Sequence, residues 1–285
     1  MTDRIKDLVV RTLSGAVLAA VVIGSTLWSR WSFGALMLIV VIGGTAEFYR
    51  LCRKCGSAPL GGIGIISAIA FFALNFTVFM QFGHTSQPSA GAAVLGLLLY
   101  ILIMVPTTFA CELWHRHPTP IANVATTFAG VLYVALPVSL LLYIPILLTG
   151  KWQAQAMLCY ILIVWVNDVF AYLTGVCIGR HHMCERISPK KSWEGFFGGV
   201  VAAVAAGVLC GHFMDGNIVL WGGLAFVVAV TGVAGDFVES LFKRSAGIKD
   251  SGAILPGHGG FLDRFDALLL SAPYAFVYLL ILENL

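Results

Sequence analysis

Apolar runs close to the length needed to cross a bilayer recur along almost the whole chain, and they leave it few folds to choose from. They cover residues 12–29, 31–46, 63–82, 90–110, 124–148, 155–178, 196–213, 218–235 and 264–282. A helix needs about 20 apolar residues to cross hydrocarbon, so the expected fold class is all-α, a polytopic membrane protein with about nine transmembrane helices. Only Ser29 and Arg30 part the first two runs, and both are slightly short. The fifth carries Pro137 and Pro145, which a membrane helix tolerates as kinks where neighbours satisfy the freed carbonyls. With 59% of the 285 residues hydrophobic and 11% charged, the placement of the charges says more than their sum. A net charge of +3 is too slight to imply a nucleic-acid partner.

Of the 17 Lys and Arg residues, 15 fall at the N-terminus or in the alternate loops on its side, against Arg30 and Lys151 on the other. Basic residues stay on the cytoplasmic side, so the N-terminus is expected in the cytosol and the C-terminus outside. Every polar cluster then faces the cytosol, where nucleotides and Mg²⁺ are available. The first run is expected as a retained span, since no small-residue cleavage site follows it and the N-terminus lacks a myristoylation signal. Residues 1–150 are read as a transmembrane scaffold that could also serve dimerisation, and residues 151–285 as a catalytic transmembrane region with cytoplasmic loops. The seven cysteines, odd in number and mostly inside apolar runs, read as small core residues. Cys52 and Cys55 have redox or zinc spacing but no second pair.

The segment from Asp236 to Asp266 breaks the apolar pattern. Five acids (Asp236, Glu239, Asp250, Asp263, Asp266) and four bases (Lys243, Arg244, Lys249, Arg264) crowd its 31 residues. Asp236 and Glu239 are three apart, as are Asp263 and Asp266, so on helices each pair shares a face and offers two carboxylates to a hard cation such as Mg²⁺. Between them lies Pro256-Gly257-His258-Gly259-Gly260, whose glycines let a ligand approach the backbone closely; His258 reads as a general base, a phosphate donor or a residue that shapes the turn, with contact to a phosphate or to the groups around it ranked first. A second polar loop, Gly179 to Gly195, holds Ser188, Lys190 and Lys191 ahead of a helix start near Ser192, which suits an anion as well as a positive-inside anchor. His181, His182 and Cys184 lack an evident fourth zinc ligand. Asp168 lies ten residues before the inner end of the sixth run. A charge at that depth is costly, and it marks a wet cavity, a cation or a packing hydrogen bond. Glu47, close to the basic Arg50, reads as half of a helix-end pair.

Ser240-Leu241-Phe242-Lys243-Arg244, then Lys249-Asp250-Ser251-Gly252, then Leu255 to Asp266 resembles the signature of the phosphatidate cytidylyltransferases, the CDP-diacylglycerol synthases, without a break over 27 residues. Asp168 with Ala171-Tyr172, Ser188-Pro189-Lys190-Lys191 and Gly235-Asp236 resemble upstream blocks of that family; Asn167, where a small residue is expected, is a minor departure. The resemblance implies transfer of CMP from CTP to phosphatidic acid, giving CDP-diacylglycerol and pyrophosphate in phospholipid biosynthesis. It also implies a Mg²⁺ cofactor with a second, monovalent cation, a homodimer, and a bacterial inner-membrane protein with its site facing the cytoplasm. By position, Asp236, Asp263 and Asp266 become the metal carboxylates, with Lys249 and Asp250 completing the catalytic set. Asp168, Ser188, Lys190, Lys191, Lys243, Arg244, His258, Gly259, Gly260 and Arg264 become substrate contacts. A CTP-dependent polyprenol kinase and a cation-coupled transporter built on Asp168 remain as other readings, whereas the CDP-alcohol phosphotransferase motif is absent.

Overall fold

Each apolar run is helical over nearly all of its length. The computed structural model describes residues 2–82, 90–252 and 259–283. In chain order the helices are α1 (Thr2–Trp28), α2 (Arg30–Lys54), α3 (Gly61–Gln81), α4 (Ala90–His115), α5 (Pro120–Gly130), α6 (Leu136–Leu141), α7 (Ile144–Thr149), α8 (Ala154–Ile178), α9 (Trp193–Phe213), α10 (Ile218–Ser245) and α11 (Leu262–Glu283). Among the described residues eight helical stretches are long and apolar enough to cross a membrane, from Arg30–Lys54 to Leu262–Leu282, and Thr12–Trp28 is a shorter apolar helix. The chain is an all-α polytopic membrane protein in architecture. One departure is a small antiparallel hairpin, β1 (His182–Cys184) with β2 (Ser188–Ser192), in the loop between α8 and α9.

Two compact units share the chain: Met1–Leu142 with Ser245–Arg264, and Tyr143–Arg244 with Phe265–Leu285. In the first, one residue suffices to end α1 and start α2 because Ser29 builds a capping box. Its hydroxyl accepts the Ser32 N–H at 3.1 Å, and Ser32 Oγ accepts the Ser29 N–H at 3.0 Å. The core of this unit is aromatic and branched: Phe33, Met37, Val40, Val41, Phe72, Phe79 and Val134 are all buried. Tyr49 is sealed inside and donates to the Thr127 carbonyl at 2.7 Å, which satisfies its hydroxyl in an apolar setting. The proline-bearing run is broken rather than merely bent. Val131–Ala135 forms a π-helical turn, with the Leu136 N–H reaching Val131 O, and the helix stops again at Leu142 before α7 begins.

The second unit is organised by close backbone approach. Gly175, Gly195 and Gly199 let α8 and α9 meet almost without side chains: a Cβ on Gly199 would lie 2.8 Å from the Asn167 carbonyl and 2.9 Å from Ala171 Cβ. The same device brings α10 to α11, since a Cβ on Gly235 would lie 2.5 Å from the Asp266 carbonyl. Trp221, Leu224, Ala225 and Val228 of α10 are buried, Trp221 and Ala225 against Gly207 on α9, and the buried Tyr160 and Ser271 hydroxyls bond at 2.9 Å. Filling the α8/α9 contact should therefore be costly. Gly199→Val is expected to destabilise the protein by about 1–3 kcal/mol through overpacking. Thermal unfolding in detergent, followed by helicity, tests this; an unchanged midpoint would mean the helices can part at no cost.

Candidate active site

The tight contact of α10 with α11 places two acids side by side. Asp236 follows Gly235, and Asp266 carries the carbonyl that Gly235 packs against. Asp168, on α8, completes the group: each of these carboxylates feels the charge of another of the three, and both Asp168 and Asp266 feel that of Lys191. Asp168 is open at the protein surface, while Asp236 and Asp266 are half-buried. One cation is held directly. Lys191 forms an ion pair with Asp236, and its ammonium sits 4.5 Å from the centre of the Phe237 ring. Ser240 Oγ adds a long contact to Asp236 Oδ1 at 3.4 Å, and Asp266 Oδ1 accepts the Ala267 N–H at 2.8 Å.

The hairpin explains how Lys191 reaches Asp236 while its neighbour does not. Successive residues of a strand point to opposite sides, so Lys190 is exposed and Lys191 half-buried. Glu194, in the first turn of α9, ties the base of the hairpin by accepting His181 Nδ1 at 2.5 Å and the Arg180 and His181 N–H groups at 3.1 and 3.3 Å. Ser192 caps α9 by accepting the Gly195 N–H at 3.2 Å. Arg244 Nε lies 3.4 Å from the Ile187 carbonyl and so braces the hairpin turn. His181 thus serves the hairpin, and among the described residues no group of three or more His, Cys, Asp or Glu side chains is placed to hold a metal ion.

The expected pairing of Asp236 with Glu239 does not form. Glu239 is 1% exposed and pairs with Lys243 one turn on, because a desolvated carboxylate needs a charge at hand. Lys243 thus neutralises Glu239. Asp263 belongs to a cluster in the first unit: its Oδ2 accepts the Ser251 N–H and hydroxyl, each at 2.9 Å, and the Gly260 N–H at 2.8 Å. Gly259 has φ +81, and a Cβ there would come within 2.5 Å of Asp263 Oδ2, so both backbone freedom and space call for glycine. Lys249, Asp250 and Arg264 are exposed, and Ser188 is half-buried on β2. His258 lies outside the described residues. Cys55 Sγ is 3.5 Å from Ser245 Oγ, and Cys52 and Cys55 are both free thiols.

Sequence reasoning missed Glu47. It is fully buried, and its Oε2 accepts the Ser251 hydroxyl at 3.1 Å and the Leu262 N–H at 3.0 Å, so the expected helix-end pair with Arg50 gives way to a tertiary role. The available signal was an acid within an apolar run, the same signal that singled out Asp168.

A profile of the Cytidylyltransferase family matches residues 9–282 of this chain. The phosphatidate cytidylyltransferase of Mycobacterium leprae (strain TN) is 32% identical over 284 residues, covering 95% of this chain and 89% of that protein. Shorter matches at higher identity join it to proteins of the same name. The one from Staphylococcus aureus (strain COL) is 46% identical over 114 residues, 39% of this chain and 44% of its own length. The one from Mycobacterium bovis (strain ATCC BAA-935 / AF2122/97) is 46% identical over 125 residues, 44% of this chain and 41% of its own length.

Three like charges around one ammonium should repel one another. Asp168→Asn is therefore expected to leave the melting temperature unchanged or to raise it, by about 1 kcal/mol of stability or less given its exposure. Lys191→Ala should lower it. A clear loss of stability in Asp168→Asn would instead make that carboxylate a packing element.

Proposed function

This chain belongs to the cytidylyltransferase family, and on that premise we propose that it is a phosphatidate cytidylyltransferase. It transfers CMP from CTP to phosphatidic acid and yields CDP-diacylglycerol and pyrophosphate. The observation that carries the reading within this structure is the convergence of Asp168, Asp236 and Asp266 on Lys191, an excess of negative charge beside a basic hairpin. Such a site suits a cation and a polyphosphate better than it suits a bound nucleophile.

Phosphatidate is a phosphomonoester whose second pKa is about 6, so near neutral pH it is largely dianionic and attacks without a general base. In the proposed step a lipid phosphate oxygen forms a bond to the α-phosphorus of CTP. The bond from that phosphorus to the β-bridging oxygen breaks, and pyrophosphate leaves with the electron pair. The work left to the protein is positioning and charge. Lys190, exposed on β2, is assigned to phosphate oxygens. Lys191 is held at Asp236 until the polyphosphate offers a stronger partner. The motif assigns Lys249, Asp250, Asp263, Gly259, Gly260, Arg264 and His258 to the same reaction.

Mg²⁺ keeps several waters and binds through one or two carboxylates plus substrate phosphates, so it needs no ready cage of three protein ligands. Asp236 and Asp266 fit that donor set. They are adjacent hard oxygen donors with less positive charge nearby than negative. When bound there, the ion supplies charge neutralisation to the triphosphate. A second, monovalent cation, a homodimer formed through the N-terminal helices, nine spans and a cytoplasm-facing site in a bacterial inner membrane belong to the same reading. The orientation is supported by the distribution of Lys and Arg.

Two measurements test it. With CTP labelled at the α or the γ phosphate, purified protein in phosphatidate vesicles with Mg²⁺ should put only the α label into lipid; γ label in lipid would make it a kinase. Asp236→Asn and Asp266→Asn should each lower the rate at least about ten-fold, partly recovered by raised Mg²⁺, as expected when a directly used carboxylate is removed. Folded variants with unchanged rate and Mg²⁺ dependence would remove the metal assignment.

A further inference from the structure

Glu47 is an acid with no exposure in the middle of an apolar helix packing, 204 residues from the hydroxyl it binds. Such a group is expensive to keep unless its bonds achieve something that an apolar residue could not. All its described partners belong to one segment. Oε2 holds the Ser251 hydroxyl and the N–H of Leu262, the first residue of α11. The Ser251 hydroxyl also lies 2.9 Å from Asp263 Oδ2, so one serine bridges the two carboxylates. The fit is tight on every side. A Cβ on Gly252 or Gly260 would strike the Glu47 carboxylate, the first at 2.9 Å and the second at 2.5 Å from Cδ. On α2 itself, Gly43 lies against the Phe261 ring, and a Cβ on Gly44 would sit 3.5 Å from Leu262 Cδ2. Gly43, Gly44 and Glu47 therefore form one face of α2 shaped to receive this segment.

We propose that Glu47 is a positioning residue for cytidylyl transfer: from α2 it holds Ser251 and Leu262, and with them the neighbouring Lys249 and Asp250 on one side and Asp263 and Arg264 on the other. The inference rests on the functional reading above for its catalytic consequence, but not for the anchoring itself. A filler of space would not need to accept from both Ser251 and Leu262, and it would not share its donor with Asp263.

The test uses the full-length protein in lipid nanodiscs, with Glu47→Gln, Glu47→Ala and Ser251→Ala. Two readouts are taken: kcat and KM for CTP per folded molecule, and the rate of tryptic cleavage at the exposed Lys249. Glu47→Ala leaves the buried Leu262 N–H without its acceptor and the Ser251 hydroxyl with Asp263 alone, so cleavage at Lys249 should speed up about ten-fold while sites elsewhere keep their rates. Its kcat/KM should fall by about the same factor or more. Ser251→Ala, which removes only the bridge, should move both readouts the same way if Glu47→Ala fails to fold. Glu47→Gln keeps an acceptor in place and should recover most of the protection. Normal protection and normal kcat/KM in folded Glu47→Ala or Ser251→Ala would overturn the proposal. So would a loss of folded protein with unchanged constants in what remains, since that is what a purely structural role produces. A wild-type protein that makes no CDP-lipid would instead sink the functional reading, and the cleavage rates would still decide whether Glu47 anchors the segment.

Discussion

A carboxylate inside an apolar helix bundle must find donors or a cation, because nothing around it can replace water. The acids of this protein show several solutions. Glu239 takes Lys243 from the next turn of its own helix, a pairing of neighbours that costs little chain order. Glu112 accepts Asn123 Nδ2 at 2.7 Å, and the same asparagine accepts the Ala58 N–H at 2.7 Å, so a polar chain ties the α2–α3 connection to the start of α5. Glu47 draws on Ser251 and Leu262, distant in sequence. Each solution converts a liability of burial into a specific contact, and the connections between helices follow those contacts.

The group on α8, α10 and α11 is different because its charges are not balanced. Lys191 answers Asp236, while Asp168 and Asp266 stay within electrostatic reach of Asp236 and of each other. A folded protein keeps such an arrangement at some cost in stability, and sites that await a ligand are where that cost is usual. The glycines are what make it possible. Without a side chain at Gly235 the α10 backbone reaches the Asp266 carbonyl, and without one at Gly199 the α8 backbone meets α9 close to Asp168.

The hairpin between α8 and α9 serves the same chemistry by a different geometry. In a helix, Lys190 and Lys191 would lie about 100° apart around the axis; in a strand they face opposite ways, which separates an exposed base from one held against Asp236 and Phe237. Glu194 and Arg244 hold that hairpin at its base and its turn. Two residues that sequence reasoning placed near phosphate or left unassigned thus act on the support of the lysines.

The apolar runs by themselves determined the helices, because in an apolar medium a backbone of that length must satisfy its own hydrogen bonds. Local chemistry also settled the break at Ser29, since a capping box needs only residues three apart. The motif residues Asp168, Lys191, Asp236 and Asp266 were legible as a set of charges out of place. Which charge meets which was not legible: i,i+3 spacing promised a shared face for Asp236 and Glu239, yet burial turned Glu239 to Lys243 and left Asp236 to Lys191, 45 residues away in sequence. Only tertiary structure could decide that, because electrostatic pairing depends on desolvation and distance in space. The role of Glu47 needed the same information, since the donors that make its burial tolerable come from residues more than two hundred places along the chain.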